Sequence, residues 1–359
     1  MRFAFTPEQL ELTEAVDKVL ADLCSATELR EAFEEPSASR SSERWAALSD
    51  LGTMGLLISE EHGGLGMDER EFVGVIESLG RAGLPEPVAE SAFACLPVLL
   101  EFAPELISGV SDGSVIVISG GFSVASTGVL VTTEGEGGIV ATPALALAGY
   151  ASHLLLAHHG LEGSEIHLLE LGAVMSTPIE TLDPTRRAAD ISWTPNASSL
   201  IASGEDADRV METLALRSAV VAAAQILGLC DTMITMSADY VSQRKQFGVA
   251  VGSFQAVKHL LANARVALEF ARPAVYRAAH SLAVDQSQLI HDVAIAKSLA
   301  SEAALLSAKV CLQVHGAIGY TWEYDLHLYQ KKAWALAVAW GSAPVWRAQL
   351  LEVLRAQRS

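Results

Sequence analysis

From Asp206 to its end the chain is a succession of long apolar-striped segments, interrupted only by short turns. Four segments, 206–243, 253–282, 286–314 and 324–355, are predicted to be helices. A helix with one apolar stripe must bury it against neighbours, so four of them predict a bundle. The second places Val257, Leu260, Leu261, Ala264, Leu268, Ala271 and Val275 on one face, at spacings of three and four. Pro273 is expected to kink or locally strain it. Between the first two segments runs YVSQRKQFGVAVGSFQAVKHLLANA, Tyr240 to Ala264. Arg244 and Lys245 are expected in the last turn of the first helix, where cations suit the dipole. Gly248 and Gly252 break the pattern, and Ser253 is expected to cap the second helix. The turn then presents Arg244, Gln246 and Phe247 at an exposed corner. A guanidinium fork, an amide and an aromatic face suit a pyrophosphate and an adenine. A helix-ending arginine beside a packed phenylalanine is the other reading of the same residues.

The rest of the chain divides by the period of its apolar residues. Thr6, Pro7 and Gln9 form a capping box that opens a first helix carrying Ala15, Val16, Val19, Leu20 and Leu23. After the polar stretch EEPSASRSSE, a second helix carries Trp45, Leu48 and Leu51. A glycine loop, SEEHGGLGMDE, leads to a third with Val73, Ile76 and Leu79, and a further helix is expected from Val88 to Phe102. From about Gly109 short runs take over: VIVIS, GVLVTT, GIVATPALAL, HLLLAHHG and EIHLLELG. They predict a small antiparallel β-domain. The expected organisation is an N-terminal helical domain (1–108), a middle β-domain (109–205) and a C-terminal four-helix bundle (206–359), mainly α with a central β part.

Composition bounds the function. The chain has 359 residues, half of them hydrophobic and 19% charged, which suits a folded protein with a sizeable core. A net charge of -19 argues against nucleic acid or an anionic membrane surface as partner. The four cysteines, Cys24, Cys95, Cys230 and Cys311, show no paired spacing, as expected of reduced thiols in the cytoplasm. No signal peptide is expected, and SAVVAAAQILGLC reads as a buried helix rather than a membrane span. His153, His158, His159 and His167 lack a suitably spaced third ligand, so no metal is expected.

R-x-Q-F-G at 244–248 followed by F-Q-A-V-x-H at 254–259 resembles the C-terminal domain of acyl-CoA dehydrogenases. W-x-x-L, G-x-x-G-L and E-E-x-G-G-L-G near the start resemble that family's N-terminal domain. TLDPTRR at 181–187 resembles its L-D-x-T-R-R segment. Gln313, Gly316, Gly319, Tyr320 and Thr321 resemble its Q-x-x-G-G-x-G-Y-T turn, with Ala317 at the second glycine. The resemblance implies that Arg244, Gln246, Phe247, Gln255, Gln313, Val314, Gly316 and Ala317 contact the FAD of a neighbouring subunit.

Other family features are missing. Where T-E-P-x-A-G-S-D would contact flavin and substrate, the chain reads VISGGFSVAST, 117–127. The family's base is a glutamate, since a carboxylate is anionic at neutral pH and burial can raise its pKa. Its positions fall at Ala339 and Trp340, or near Ser218 and Ala224, none of which is acidic. Glu212, Asp231, Asp239, Glu323 and Asp325 read as solvated faces or caps. No catalytic residue is therefore assigned. The chain resembles the base-lacking subunit of actinobacterial heterotetrameric (α2β2) steroid-type members. That implies a longer homologue with the glutamate as partner, an acyl-CoA substrate, and an electron-transfer flavoprotein as acceptor. A homotetrameric flavoenzyme with a relocated base and a non-enzymatic assembly protein are the alternatives.

Overall fold

The fold comes from a computed structural model that describes residues 5–35, 40–121, 133–134, 138–160, 163–284 and 286–356. Helices α1 (Pro7–Leu23), α2 (Ala26–Glu34), α3 (Ser42–Asp50), α4 (Glu69–Arg81), α5 (Leu96–Phe102) and α6 (Ile107–Ser111) come first. Strands β1 (Val117–Gly120), β2 (Thr133–Glu134), β3 (Val140–Leu145), β4 (His153–Gly160), β5 (Gly163–Glu170), β6 (Met175–Pro178), β7 (Ala189–Trp193) and β8 (Leu200–Ser203) follow. Next come α7 (Glu205–Gln243), a hairpin of β9 (Lys245–Gln246) and β10 (Val249–Ala250), α8 (Gln255–Val284), α9 (Leu289–His315), α10 (Leu326–Val338) and α11 (Ala343–Ala356).

By packing the chain groups into two compact units, Met1–Phe33 with Val73–Leu84 and Ala222–Ser359, and Glu34–Phe72 with Pro85–Val221. In the first, α9 packs against α8, α10 and α11. Arg265 on α8 donates to Asp231 on α7 at 2.6 Å. Helix α4 crosses the second half of α7 at two glycines. A Cβ on Gly80 would stand 2.1 Å from the Gln225 carbonyl oxygen, and one on Gly228 2.1 Å from that of Glu77. Only glycine lets two helix backbones approach so closely. Beside this crossing lies Glu77, 2% exposed. It accepts from Tyr276 at 2.6 Å and from Arg272, and pairs with Arg81 at 3.4 Å.

The second unit holds both four-stranded sheets, ordered β1-β4-β5-β8 and β2-β3-β7-β6. Trp193 of β7 packs its ring against His158 of β4 and His167 of β5, at 6.2 and 4.9 Å, which joins the two sheets through one aromatic. His167 also hydrogen-bonds Ser199 at 2.9 Å and Glu165 at 3.1 Å. Among the described residues all pairs are antiparallel but one: β1 runs parallel to β4. The chain leaves the first sheet after β1, supplies β2 and β3 to the second, and returns as β4. A long excursion of this kind is what a parallel pair requires.

Several sequence expectations hold at the level of single residues. Gln9 N–H donates to Thr6 Oγ1 at 3.3 Å, and Thr6 N–H to Gln9 Oε1 at 2.8 Å, closing the capping box. Ala264, Leu268, Ala271 and Val275 are fully buried along α8. The helix continues through Pro273 without ending there. The segment 324–355, expected as one helix, is two. Trp340 and Gly341 have φ of +56° and +93°, which no α-helix accommodates. The stretch 88–102 is likewise not a single α-helix: a π-turn, Glu90–Cys95, precedes α5. Helix α7 includes an 18-residue stretch of mean hydropathy 1.6, of which 94% is buried, so it reads as a core helix.

Candidate functional site

The R-K-Q-F-G segment is a β-hairpin, not a helix end. Helix α7 stops at Gln243, and Arg244 N–H makes its final contact, to the Tyr240 carbonyl at 2.9 Å. Lys245 and Gln246 then pair with Ala250 and Val249. The expected placement of Arg244 and Lys245 in the last helical turn is thereby corrected. The two residues at the tip, Phe247 and Gly248, have φ of +53° and +82°. Positive φ at both central positions is the turn whose twist matches a two-residue hairpin. Glycine adopts it freely, whereas a phenylalanine there is strained. The Phe247 side chain is nevertheless 92% exposed. Its contact is edge-on to Phe254, at 6.4 Å. The packed-phenylalanine reading fails on this exposure. Val251 N–H donates to the Arg244 carbonyl at 2.7 Å and closes the hairpin.

Ser253 does not cap α8. Its hydroxyl donates back to the Ala250 carbonyl at 2.6 Å, and the Phe254 carbonyl instead accepts from Val257 and Lys258, both at 3.1 Å. This leaves Gln255 exposed in the first turn of α8. The Arg244 guanidinium and Gln246 are exposed as well.

The second segment is the end of α9. Gln313 and Ala317 face solvent, while the Val314 side chain is buried and offers only its backbone to a ligand. Gly316 has φ +64° and ψ -139°, a region essentially closed to other residues. A Cβ there would meet nothing within 4 Å, so the backbone angle and not crowding demands glycine, and open space lies beside it.

The two segments are connected. The His315 ring stacks on Tyr240 at 4.5 Å and 19°, and tilts onto Tyr324 at 4.6 Å. Its Nδ1–H donates to the Cys311 carbonyl at 2.7 Å. Burial pushes the imidazole below its ordinary range, and the bond to Cys311 pulls the other way. Sequence reasoning did not single out His315. The only signal was a histidine set between Gln313 and Gly316.

The positions of the family's base are of another character. Ala224 is fully buried and Ser218 is 2% exposed. Beside Ser218, the buried Arg217 donates to Glu69 at 2.6 Å and to the Phe93 carbonyl at 2.8 Å, with its guanidinium over the Phe93 ring. Trp340 lies in the break between α10 and α11. A fully buried lysine, Lys297, holds that break by donating to the carbonyls of Leu336, Ala337 and Gly341 at 3.0–3.1 Å, and to Ser301. Asp231 and Asp325 are held by Arg265 and Arg30, and Glu212, Asp239 and Glu323 are exposed. Glu77 is buried, but arginines and a tyrosine occupy its oxygens. Of the loop at 117–127, residues 122–127 lie outside the described residues. A cavity of about 460 Å³ among Ile139, Met175, Trp193 and Asn196 is lined by none of the residues expected to bind cofactor.

The chain belongs to the acyl-CoA dehydrogenase family. The model of the acyl-CoA dehydrogenase N-terminal domain matches residues 6–106, and that of the C-terminal domain 207–354. Among relatives, it is 32% identical over 325 residues to acyl-CoA dehydrogenase FadE34 of Mycobacterium tuberculosis, covering 88% of this chain but 42% of FadE34. The chain thus spans less than half the length of that relative. It is 28% identical over 294 residues to acyl-CoA dehydrogenase IpdE2 of the same organism, covering 80% of this chain and 79% of IpdE2. Among solved structures, it is similar to a chain of the ChsE4-ChsE5 complex from Mycobacterium tuberculosis, with a TM-score of 0.84 and 25% identity, covering 100% of this chain and 99% of that one.

Proposed function

We propose that this chain is the FAD-completing, non-catalytic subunit of a heteromeric acyl-CoA dehydrogenase. One contrast carries the reading. Arg244, Gln246, Phe247, Gln255 and Gln313, suited to a neighbour's FAD, are exposed and polar or aromatic, whereas every position of the family's base lacks a carboxylate. The donor set fits the ADP half of FAD. Arg244 supplies a fork for the pyrophosphate, Gln246, Gln255 and Gln313 supply amides, and Phe247 supplies a face for adenine. Gly316 and Ala317, with the Val314 backbone, leave room for a close approach. When bound, FAD would supply a hydride acceptor for the substrate β-carbon. This chain's residues would hold the far end of the cofactor, and a longer homologue carrying a glutamate would cradle the ring and remove the α-proton. The similarity to a chain of the two-component ChsE4-ChsE5 complex supports a partner of the same family. The proposed assembly is α2β2, acting in the cytoplasm on an acyl-CoA, with a steroid side-chain CoA ester as the candidate, and passing electrons to an electron-transfer flavoprotein.

The test is the flavin count. Each copy of this chain completes one site on its partner and owns none. Released FAD, measured against protein in a complex of known subunit ratio, is expected at two per α2β2 particle. Four per particle, or an isolated chain that is yellow and active, would overturn the reading.

A further inference from the structure

The two segments assigned to FAD lie far apart in sequence, yet a pyrophosphate and an adenine need their donors fixed together. We infer that His315 is the positioning residue that holds them in register, by stacking on Tyr240; the inference rests on the function proposed above. Tyr240 lies one helical turn before Arg244, and its carbonyl accepts the Arg244 N–H at 2.9 Å. A tilt of that turn therefore moves the base of the hairpin. On the other side, Gly316 follows His315 directly and starts the short 3-10 helix Gly316–Tyr320. The same ring thus touches the root of one segment and forms the root of the other.

The local chemistry argues against a merely space-filling residue. The ring is 4% exposed, and its Nε2 has no hydrogen-bond partner among the described residues. A buried ring nitrogen without a partner is unfavourable, and a phenylalanine would avoid it. What histidine adds is the bond from Nδ1 to Cys311, which fixes the ring plane relative to its own helix. Flat contact at 19° depends on that plane. Tyr324 packs against both rings of this pair, 4.6 Å from His315 and 5.7 Å from Tyr240, and its hydroxyl donates to the Met236 carbonyl on α7 at 3.3 Å. Arg30 of α2 in turn holds Asp325 and the Glu323 carbonyl, so the turn that carries Tyr324 is itself anchored.

Two measurements test this. In the full chain alone, hydrogen exchange is followed at 245–250 and 316–320 for His315→Leu, His315→Phe and Tyr240→Leu. His315→Leu and Tyr240→Leu are expected to raise exchange at both segments, and His315→Phe, which keeps a ring but loses the Cys311 bond that fixes its plane, to restore only part of the protection. In the complex with the glutamate-bearing homologue, His315→Leu is expected to weaken FAD binding about three- to tenfold, the scale of one aromatic pair. Combined with Arg244→Ala it should weaken binding by less than the product of the two, because both act through one contact. Unchanged exchange at 245–250 in His315→Leu would overturn the coupling. Coupled exchange with unchanged FAD binding would overturn the FAD assignment beneath it.

Discussion

The hairpin after α7 and the middle of α7 belong to one continuous stretch of chain, yet they obey opposite constraints. At the hairpin tip an aromatic residue takes a backbone angle suited to glycine and leaves its ring 92% exposed. Neither choice stabilises the chain alone. Such strain persists where function requires it. Around Ala224, by contrast, the apolar residues serve packing: Val220, Ala223, Ala224 and Leu227 are fully buried. The contrast is the one the proposed role requires: strained, exposed residues where the chain would clamp a neighbour's FAD, and packed ones where the family has its base.

The most forceful way to break the comparison is to restore the missing carboxylate. Ala224→Glu would place an ionisable group where no side-chain surface is exposed. An unpaired buried charge costs about 3–5 kcal/mol. Urea unfolding of the chain is expected to show a loss of that order, with no gain of dehydrogenase activity in the complex. A variant within about 1 kcal/mol of the parent would mean that the position can reach solvent or a partner, as a catalytic position must.

Next in size is Arg244. Under the proposed role, replacement by alanine would remove charge-assisted hydrogen bonds to the pyrophosphate, worth about 1.5–3 kcal/mol of FAD affinity. Arg244→Lys should recover only part of this, because the planar fork is lost. FAD retention by the complex measures both. Since Arg244 is exposed and stands outside α7, urea unfolding of the chain alone should be almost unchanged. Full retention of FAD in the alanine variant would reduce Arg244 to a surface charge.

How much of this was legible in the sequence depended on whether the deciding forces were local. The capping box at Thr6 and Gln9 and the buried face of α8 follow from spacing, and the structure has them. The hairpin was half legible. Gly248 announced a turn, but a bulky residue before it hid the need for positive φ at Phe247. The break at Trp340 and Gly341 was marked by Gly341 and Pro344, yet apolar periodicity on both sides masked it. His315, Lys297 and Arg217 were not legible as organising residues. Each has a partner far away in sequence that no spacing rule encodes: the Tyr240 ring for His315, the Gly341 carbonyl for Lys297 and the Phe93 carbonyl for Arg217. The parallel pairing of β1 with β4 was hidden for the same reason: only the three-dimensional return of the chain decides it.

The smallest expected effect separates function from stability most cleanly. If the hairpin served only to join two helices, the residue at its tip would be chosen for the turn. Asparagine tolerates positive φ far better than phenylalanine. Phe247→Asn should therefore relieve roughly 1 kcal/mol of local strain. It sacrifices little packing, since the ring is 92% exposed and its contact is an edge with Phe254 at 6.4 Å. Slower hydrogen exchange at 245–250 is the expected sign of that relief. In the complex the same change removes the aromatic face proposed for adenine, and FAD binding should weaken by about 1 kcal/mol, the scale of one stacking contact. The two effects have opposite signs, and this is what makes the variant informative. A residue kept for the fold would show slower exchange with FAD binding untouched. Faster exchange with untouched FAD binding would mean that the Phe247–Phe254 contact, and not a ligand, holds the phenylalanine at the tip.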